Sequence, residues 1–128
     1  MHPLHYPDIE RCKKLTEIGF PETEKYWYCN PYAWDDTTRF SIEPPRENWG
    51  KEKRGVCPSV MELLDVIPPY IKIDDDEYEF QIRQNWVTKL VMYVCGNGMI
   101  YHEYGTLPNA LCDLIFWLVE NGYLTFKK

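Results

Sequence analysis

The amino-acid sequence predicts an α+β domain, in which helices pack on an antiparallel sheet, and three observations lead to that fold class. Residues 106–124 form one helical pattern that is apolar over most of its circumference, so other elements must cover it on several sides. The tetrapeptide 59–62 has the pattern of a capping box and begins another helix. The turn 96–98 (Gly-Asn-Gly) separates two strand-like segments and favours a hairpin. The expected order is α-β-β-α-β-β-β-α, a hairpin plus a three-stranded meander with two to three helices.

The last helix carries start and stop signals. Thr106 is the expected N-cap, and Pro108 suits the first turn, where N–H groups have no intrahelical partner. Asn121-Gly122 favours a left-handed end. The few polar residues of this helix, which are Asn109, Asp113 and Glu120, fall on one narrow stripe. Phe116 lies on the same stripe. If this stripe meets another chain, it is an interface.

The first half predicts one helix and one hairpin. Asp8 is the expected N-cap of a helix at 9–18, which Gly19-Phe20-Pro21 ends. Aromatic and β-branched residues predict strands at 24–29 and 38–42. The polar segment 46–55 is predicted to be an exposed loop. Residues 1–128 are therefore expected to form one domain, with a two-half organisation around 46–58 as an alternative.

The second half predicts a helix at 59–67 followed by the meander. The segment 70–73 alternates as a short strand, 77–83 alternates again, and further strands are expected at 87–95 and 99–104. The acidic run Asp74 to Glu77 lacks the alternating spacing and glycine of a calcium loop, so a charged hairpin turn is the favoured interpretation.

Composition limits the classes of function. The chain has 128 residues, is 45% hydrophobic and carries a formal net charge of −6. An acidic chain disfavours non-specific nucleic-acid binding, which needs a basic surface. The N-terminal residues contain no apolar signal segment, and the run 114–119 is too short to cross a bilayer. A cytoplasmic protein without a membrane partner is expected.

Five cysteines lack the paired spacing of zinc ligands, so the sequence predicts neither a metal nor a cofactor. A zinc site formed by Cys29, Cys57 and a histidine is the alternative. Cys95 and His102, with Glu103 or Asp113, supply the residue types of a thiol enzyme. The predicted register places Cys95 opposite Ile100 and His102 opposite Tyr93, and no surrounding motif supports catalysis. A non-enzymatic protein is favoured.

Aromatic residues make up 16% of the chain, and core packing explains most of them. Trp34 and Trp49 lie among turn residues, so they are candidates for an interaction surface together with Phe116. A basic strip at Lys51, Lys53 and Arg54, beside Trp49, gives the alternative of a nucleic-acid-associated accessory protein.

Three segments carry a resemblance to known proteins: LTEIGFPETEKYWYC (15–29), CPSVMELLDVIP (57–68) and ALCDLIFWLVENGYL (110–124). They resemble short uncharacterised proteins of prophages and other mobile elements in gut bacteria, over most of the chain apart from its ends. The layout is also similar to the phage ABA sandwich domain, whose helix start is matched here by Thr106, Ala110 and Cys112. The resemblance implies a fold and an origin, and it supplies no catalytic residues.

The sequence thus leads to one expectation and two alternatives. A small phage or mobile-element protein that acts by protein–protein interaction is expected, with an unidentified protein partner or a second copy of itself. A nucleic-acid accessory protein and a Cys/His-dependent enzyme are the alternatives.

Overall fold

The computed structural model describes residues 6–30, 40–44, 52–84, 89–96 and 98–126, and for 52–54 it describes the backbone alone. Across these ranges it has three helices and two antiparallel sheets, which confirms the α+β class. The helices are α1 (Ile9–Glu17), α2 (Val60–Val66) and α3 (Leu107–Glu120). The strands are β1 (Tyr26–Cys29), β2 (Phe40–Glu43), β3 (Glu52–Val56), β4 (Tyr70–Ile73), β5 (Asp76–Gln84), β6 (Lys89–Cys95) and β7 (Gly98–Gly105).

The first sheet has the strand order β2-β1-β3 and contains a strand that the sequence did not predict. The predicted hairpin of β1 and β2 is confirmed, with Cys29 opposite Phe40. The expected exposed loop at 46–55 is wrong in its last part, because residues 52–55 belong to β3, which pairs antiparallel with β1. The central strand β1 is buried along its whole length and needs a partner on each edge. A non-local pairing therefore overrides the polar, turn-like local sequence.

The second sheet has the strand order β4-β5-β6-β7. Its first hairpin separates residues 70–73 from 76–84 as two strands, with Ile73 opposite Asp76. The first two residues of the acidic run, Asp74 and Asp75, form the turn, whereas Asp76 and Glu77 already belong to β5, and Asp74 adopts a φ of 55°. Aspartate tolerates this left-handed conformation better than most residues do. The sheet thus has one more strand than the expected meander.

The last hairpin has a different register from the predicted one. Cys95 lies opposite Gly98 rather than opposite Ile100, so the two strands meet one residue earlier in the chain than expected. Tyr93 lies opposite Tyr101 while Val94 lies opposite Met99, which leaves Ile100 as the extra residue of a bulge. The predicted pairings of Cys95 with Ile100 and of His102 with Tyr93 are therefore wrong, because local turn preferences do not specify a bulge.

The helix ends follow the sequence signals closely. Ser59 and Glu62 form the predicted capping box, with the Ser59 N–H donating to Glu62 Oε1 at 2.9 Å. Asp8 accepts from the Arg11 N–H at 2.9 Å and caps α1. At the end of α3 the Tyr123 N–H donates to the Leu118 carbonyl at 2.9 Å, as in a Schellman motif. Thr106 occupies the N-cap position of α3, but its side chain forms no capping bond.

One buried cluster joins the two sheets through α3. It includes Tyr26 and Tyr28 of the first sheet and Val91 and Tyr93 of the second. Most of the remaining fully buried members come from α3: Ala110, Leu111, Cys112, Leu114, Ile115 and Leu118. This explains why the helix is apolar around most of its circumference. Within the described ranges, no helix is long and apolar enough to cross a membrane.

Candidate functional site: the outer face of the second sheet

The second sheet has two faces of different character. Val91 and Tyr93 point into the main buried cluster and define its inner face, which α3 covers. Side chains alternate along a strand, and directly opposite residues share a face, so the register assigns the other residues to the outer face. We call this set the outer face: Tyr70 and Lys72 of β4; Glu77, Glu79, Gln81 and Arg83 of β5; Leu90, Met92 and Val94 of β6; Met99, His102 and Tyr104 of β7.

No residue of the outer face belongs to the main buried cluster. The residues that the second sheet contributes to this cluster all lie on its inner face. Several of its apolar side chains are exposed, including Tyr70 (54%), Tyr104 (53%) and Met99 (48%). Tyr70 lies on the edge strand β4, whereas Met99 and Tyr104 lie on the opposite edge strand β7, next to the apolar residues of β6. Scattered single apolar residues are ordinary on a protein surface, but a group on neighbouring strands is typical of an interaction site. The second sheet therefore presents a surface with binding chemistry.

A shallow open depression of about 590 Å³ lies on this face. Met92, which is 1% exposed, belongs to its lining, and Val94 and Met99 give it an apolar side. Its other side is polar and consists of Glu79, Gln81 and Arg83, with Arg83 Nη2 donating to Gln81 Oε1 at 2.9 Å. The depression thus combines apolar area with charged groups that fix the orientation of a bound partner.

The charges of the outer face balance. Lys72 and Arg83 supply two positive charges, and Glu77 and Glu79 supply two negative charges. With neutral His102, this face is formally uncharged although the whole chain carries −6. The acidic excess of the chain therefore resides elsewhere, and another acidic protein can approach this face without strong repulsion.

The register also shows on which face of the sheet Cys95 and His102 lie. Cys95 lies opposite Tyr78 by continuation of the β5–β6 register, which places it on the inner face. His102 lies opposite Met92 and belongs to the outer face. Its ring contacts Tyr104 edge-on at a centroid distance of 5.5 Å. Because the two side chains point to opposite sides of the sheet, the structure does not bring this thiol and imidazole together.

The predicted polar stripe of α3 is covered by α1 of the same chain. The Asp8 N–H donates to Asn109 Oδ1 at 2.9 Å, and Arg11 binds both carboxylate oxygens of Asp113. Phe116 is 7% exposed, and the Lys14 Nζ atom lies 4.4 Å from its ring centroid. The expectation that Phe116 is an exposed aromatic is therefore wrong, because an intramolecular helix packs on it.

The other predicted interaction residues lie outside the described part. Trp34, Trp49 and Lys51 fall in ranges that the structure does not describe. Lys53 and Arg54 lie in β3, where the structure describes their backbone but not their side chains. The basic strip and the two tryptophans remain sequence-based predictions.

Four of the five cysteines are buried, and Cys95 is half-buried. Cys12 and Cys57 share a small buried cluster with Trp27. Contact with Cys57 and burial both raise the pKa of Cys12, and burial raises the pKa of Cys112. In the described ranges no group of three or more His, Cys, Asp and Glu side chains is arranged to hold a metal ion, so the alternative zinc site at Cys29 and Cys57 gains no support.

The sequence contains one signal for the outer face, the alternation of polar and apolar residues along β5. The alternation of Glu79, Gln81 and Arg83 with apolar residues predicts a strand with one face toward solvent. Propagating that alternation to β6 requires the correct strand register. Only this register places Met92 opposite Gln81 and Val94 opposite Glu79, on the outer face.

Comparison with known proteins does not extend these assignments. A scan against protein-family models finds no match, and searches of curated proteins and of solved structures find no similar protein.

Proposed function

We propose that this protein is a non-enzymatic binding protein of phage or mobile-element origin that acts by contacting another protein through the outer face of the second sheet. The observation that carries the proposal is the combination of exposed apolar side chains and balanced charges on one sheet face. An interaction surface needs apolar area for affinity and paired charges for specificity. The separation of Cys95 and His102 onto opposite faces favours binding over the thiol-enzyme alternative.

The chemistry of the face describes its partner. A complementary protein surface has an apolar part that covers Val94 and Met99, beside the buried Met92. It also has an acidic group opposite Arg83 and a basic group opposite Glu79. A strongly basic polymer partner is not required, because the face itself carries no net charge.

Charge and size changes at exposed positions test this function. Tyr70→Lys and Arg83→Glu alter the neighbouring strands β4 and β5 of the face without disturbing the buried cluster, since Tyr70 is 54% exposed and Arg83 is also exposed. Each change is expected to weaken partner binding by about ten-fold or more, about 1.4 kcal/mol. The matched control is Met61→Lys on α2, where the side chain is 67% exposed and lies away from the sheet face.

The measurement proceeds in two steps. Proteins cross-linked to the tagged chain in its producing cells are identified, and the affinity of each purified candidate is then measured for all variants. Binding that is lost in both face variants and kept in Met61→Lys supports the proposal. Binding that is the same in all variants, or the absence of any reproducible partner, contradicts it.

The phage or mobile-element origin rests on the resemblance of residues 15–29, 57–68 and 110–124. The genes that flank the coding sequence test it directly. Neighbouring genes for phage structural, replication or mobilisation proteins are expected, and a neighbourhood of housekeeping genes would contradict this origin.

A further inference from the structure

The last strand of the second sheet has a free edge. β7 pairs with β6 on one side, and no described residue outside this pair forms a backbone hydrogen bond with it. At such an edge, every second residue directs its N–H and C=O groups away from the sheet, where another strand can bind them. β7 is eight residues long, so it offers a substantial edge.

The other edge strands carry the features that normally prevent edge pairing. β4 has four residues, follows Pro68-Pro69 and contains Lys72. β2 is equally short and is followed by Pro44. β3 contains three consecutive charged residues, at 52–54. Prolines, lysines and short length are the usual protection of exposed edges, and β7 contains no proline, lysine or arginine.

β7 also carries a concentration of exposed apolar side chains. Of the six large hydrophobic side chains that are exposed in the described ranges, three belong to this strand: Met99, Ile100 and Tyr104. Its acidic residue, Glu103, is on the inner face and accepts a hydrogen bond from the Tyr101 hydroxyl at 2.7 Å. No charged side chain of β7 therefore opposes the approach of another strand on the outer face.

The geometry of β7 limits the segment that can pair. The bulge at Ile100 interrupts regular alternation at one end. Gly105 has a φ of 149°, which interrupts extended strand geometry at the other end. The regular segment is thus Tyr101 to Tyr104, and it contains His102.

We propose that a second copy of this chain pairs antiparallel with β7, with the two-fold axis at His102. His102 then faces the partner's His102. Tyr101 faces the partner's Glu103, to which its hydroxyl can donate. This is an isologous interface, in which the same edge is used by both copies.

Other registers are less favourable. A register shifted by an odd number of positions opposes inner-face and outer-face residues, which the pleat of a sheet does not allow. An axis at Glu103 places two carboxylates directly opposite each other. An axis at Tyr101 leaves Tyr104 against the partner's Gly98, so the exposed ring gains little contact.

Charge favours a second copy as the occupant of this edge. Pairing through β7 joins the two outer faces into one continuous surface, and each of them is formally neutral. Glu103 is the one charged residue of β7 with His102 neutral, so two copies bring little of the net charge of −6 together at this edge. The inference goes beyond the proposed function, because the dimer uses the edge of the sheet and leaves the outer face open to a different partner.

The oligomeric state of the full chain tests the inference. Sedimentation velocity over a range of protein concentrations is expected to show a monomer–dimer equilibrium. His102→Lys places two like charges opposite each other at the axis and is expected to raise the dissociation constant by about ten-fold or more. His102→Gln is the matched neutral control and keeps the dimer, as does Met61→Lys on α2.

A cross-link tests the register. Directly opposite Cα atoms in a sheet lie about 4.5–5.5 Å apart, within the range of a disulfide. His102→Cys, oxidised with diamide, is expected to form a covalent dimer, whereas Lys72→Cys on the opposite edge strand is not.

The two proposals fail in different ways. A wild-type chain that stays monomeric at all soluble concentrations overturns the β7 dimer, and so does a dimer that persists in His102→Lys. If the chain is monomeric but a partner protein still depends on Tyr70 and Arg83, the proposed function stands without the dimer.

Discussion

At the scale of single residues, Gly55 decides how closely α1 can approach the first sheet. It lies in β3 opposite Trp27, and both residues are buried. The Val56 N–H donates to Thr16 Oγ1 at 3.0 Å, and the Thr16 hydroxyl donates to the Cys12 carbonyl at 2.9 Å. A hydroxyl on α1 thus contacts the strand backbone directly beside the glycine. This close contact leaves no room for a side chain at position 55.

Gly55→Ala is therefore expected to destabilise the protein. An added Cβ would lie 2.5 Å from Thr16 Oγ1 and 2.8 Å from Trp27 Nε1, closer than van der Waals contact allows. Overpacking of this kind reduces the free energy of unfolding by about 1–3 kcal/mol. Urea unfolding followed by tryptophan fluorescence measures the change. Gly96→Ala is the control, because an added Cβ there has no atom within 4 Å. Equal stability of the two variants would contradict this interpretation.

At the scale of elements, two matched stripes hold α1 against α3. Positions 8, 11 and 14 of one segment contact positions 109, 113 and 116 of the other, and both series follow the spacing of a helix face. Arg11 makes the strongest of these contacts, with Nε 2.9 Å from Asp113 Oδ1 and Nη2 2.8 Å from Asp113 Oδ2. Such a bidentate ion pair fixes the relative orientation of the two side chains and also pairs their charges.

A double-mutant cycle measures this contact. Arg11→Met and Asp113→Asn are expected to show a coupling free energy of about 1 kcal/mol or more, because the side chains are only 32% and 26% exposed. The control cycle uses Lys14 and Glu120, whose charges lie 3.8 Å apart with 51% and 67% exposure. That pair is expected to couple by less than about 0.5 kcal/mol. Equal coupling in both cycles would show that Arg11 does not anchor α1.

For the whole molecule, the features that the sequence predicted are those specified by neighbouring residues. The capping box at Ser59, the αL glycine at Gly122 and the alternation along β5 each depend on residues a few positions apart. They were sufficient to predict the helices and the α+β class. The acidic turn at Asp74 belongs to the same group.

The features that the sequence did not predict depend on distant residues. β3 is a strand because the buried strand β1 needs a second partner, although its own residues favour a turn. α1 covers the stripe on α3 because it carries a complementary one, 101–102 residues earlier in the chain. The outer face required the register of β6 against β5, and a bulge at Ile100 set the register of β7. Local patterns contain none of these pairings, so the candidate site emerged only from the structure.

The burial of the cysteines makes the stability of the whole molecule sensitive to alkaline pH. Burial raises the pKa of Cys112 above its usual value of about 9, and contact with Cys57 together with burial raises that of Cys12. In the unfolded chain both thiols ionise near their usual pKa, whereas in the folded chain they stay protonated. Their contribution to stability is therefore fully present below about pH 9 and is lost as the pH rises toward the folded-state pKa.

Cys112→Ala tests this sensitivity. Above about pH 9 each such thiol is expected to lower the free energy of unfolding by about 1.4 kcal/mol per pH unit. Removing Cys112 should therefore make the decline shallower by about that amount, measured by urea unfolding at pH values from 7 to about 10.5. At pH 7 the thiol is protonated in both the folded and the unfolded chain, so the difference in the free energy of unfolding between Cys112→Ala and the wild type reports the loss of packing alone. The additional difference that develops at higher pH reports the ionisation of Cys112. Parallel pH profiles of the variant and the wild type would show that the folded chain does not hold the Cys112 thiol protonated.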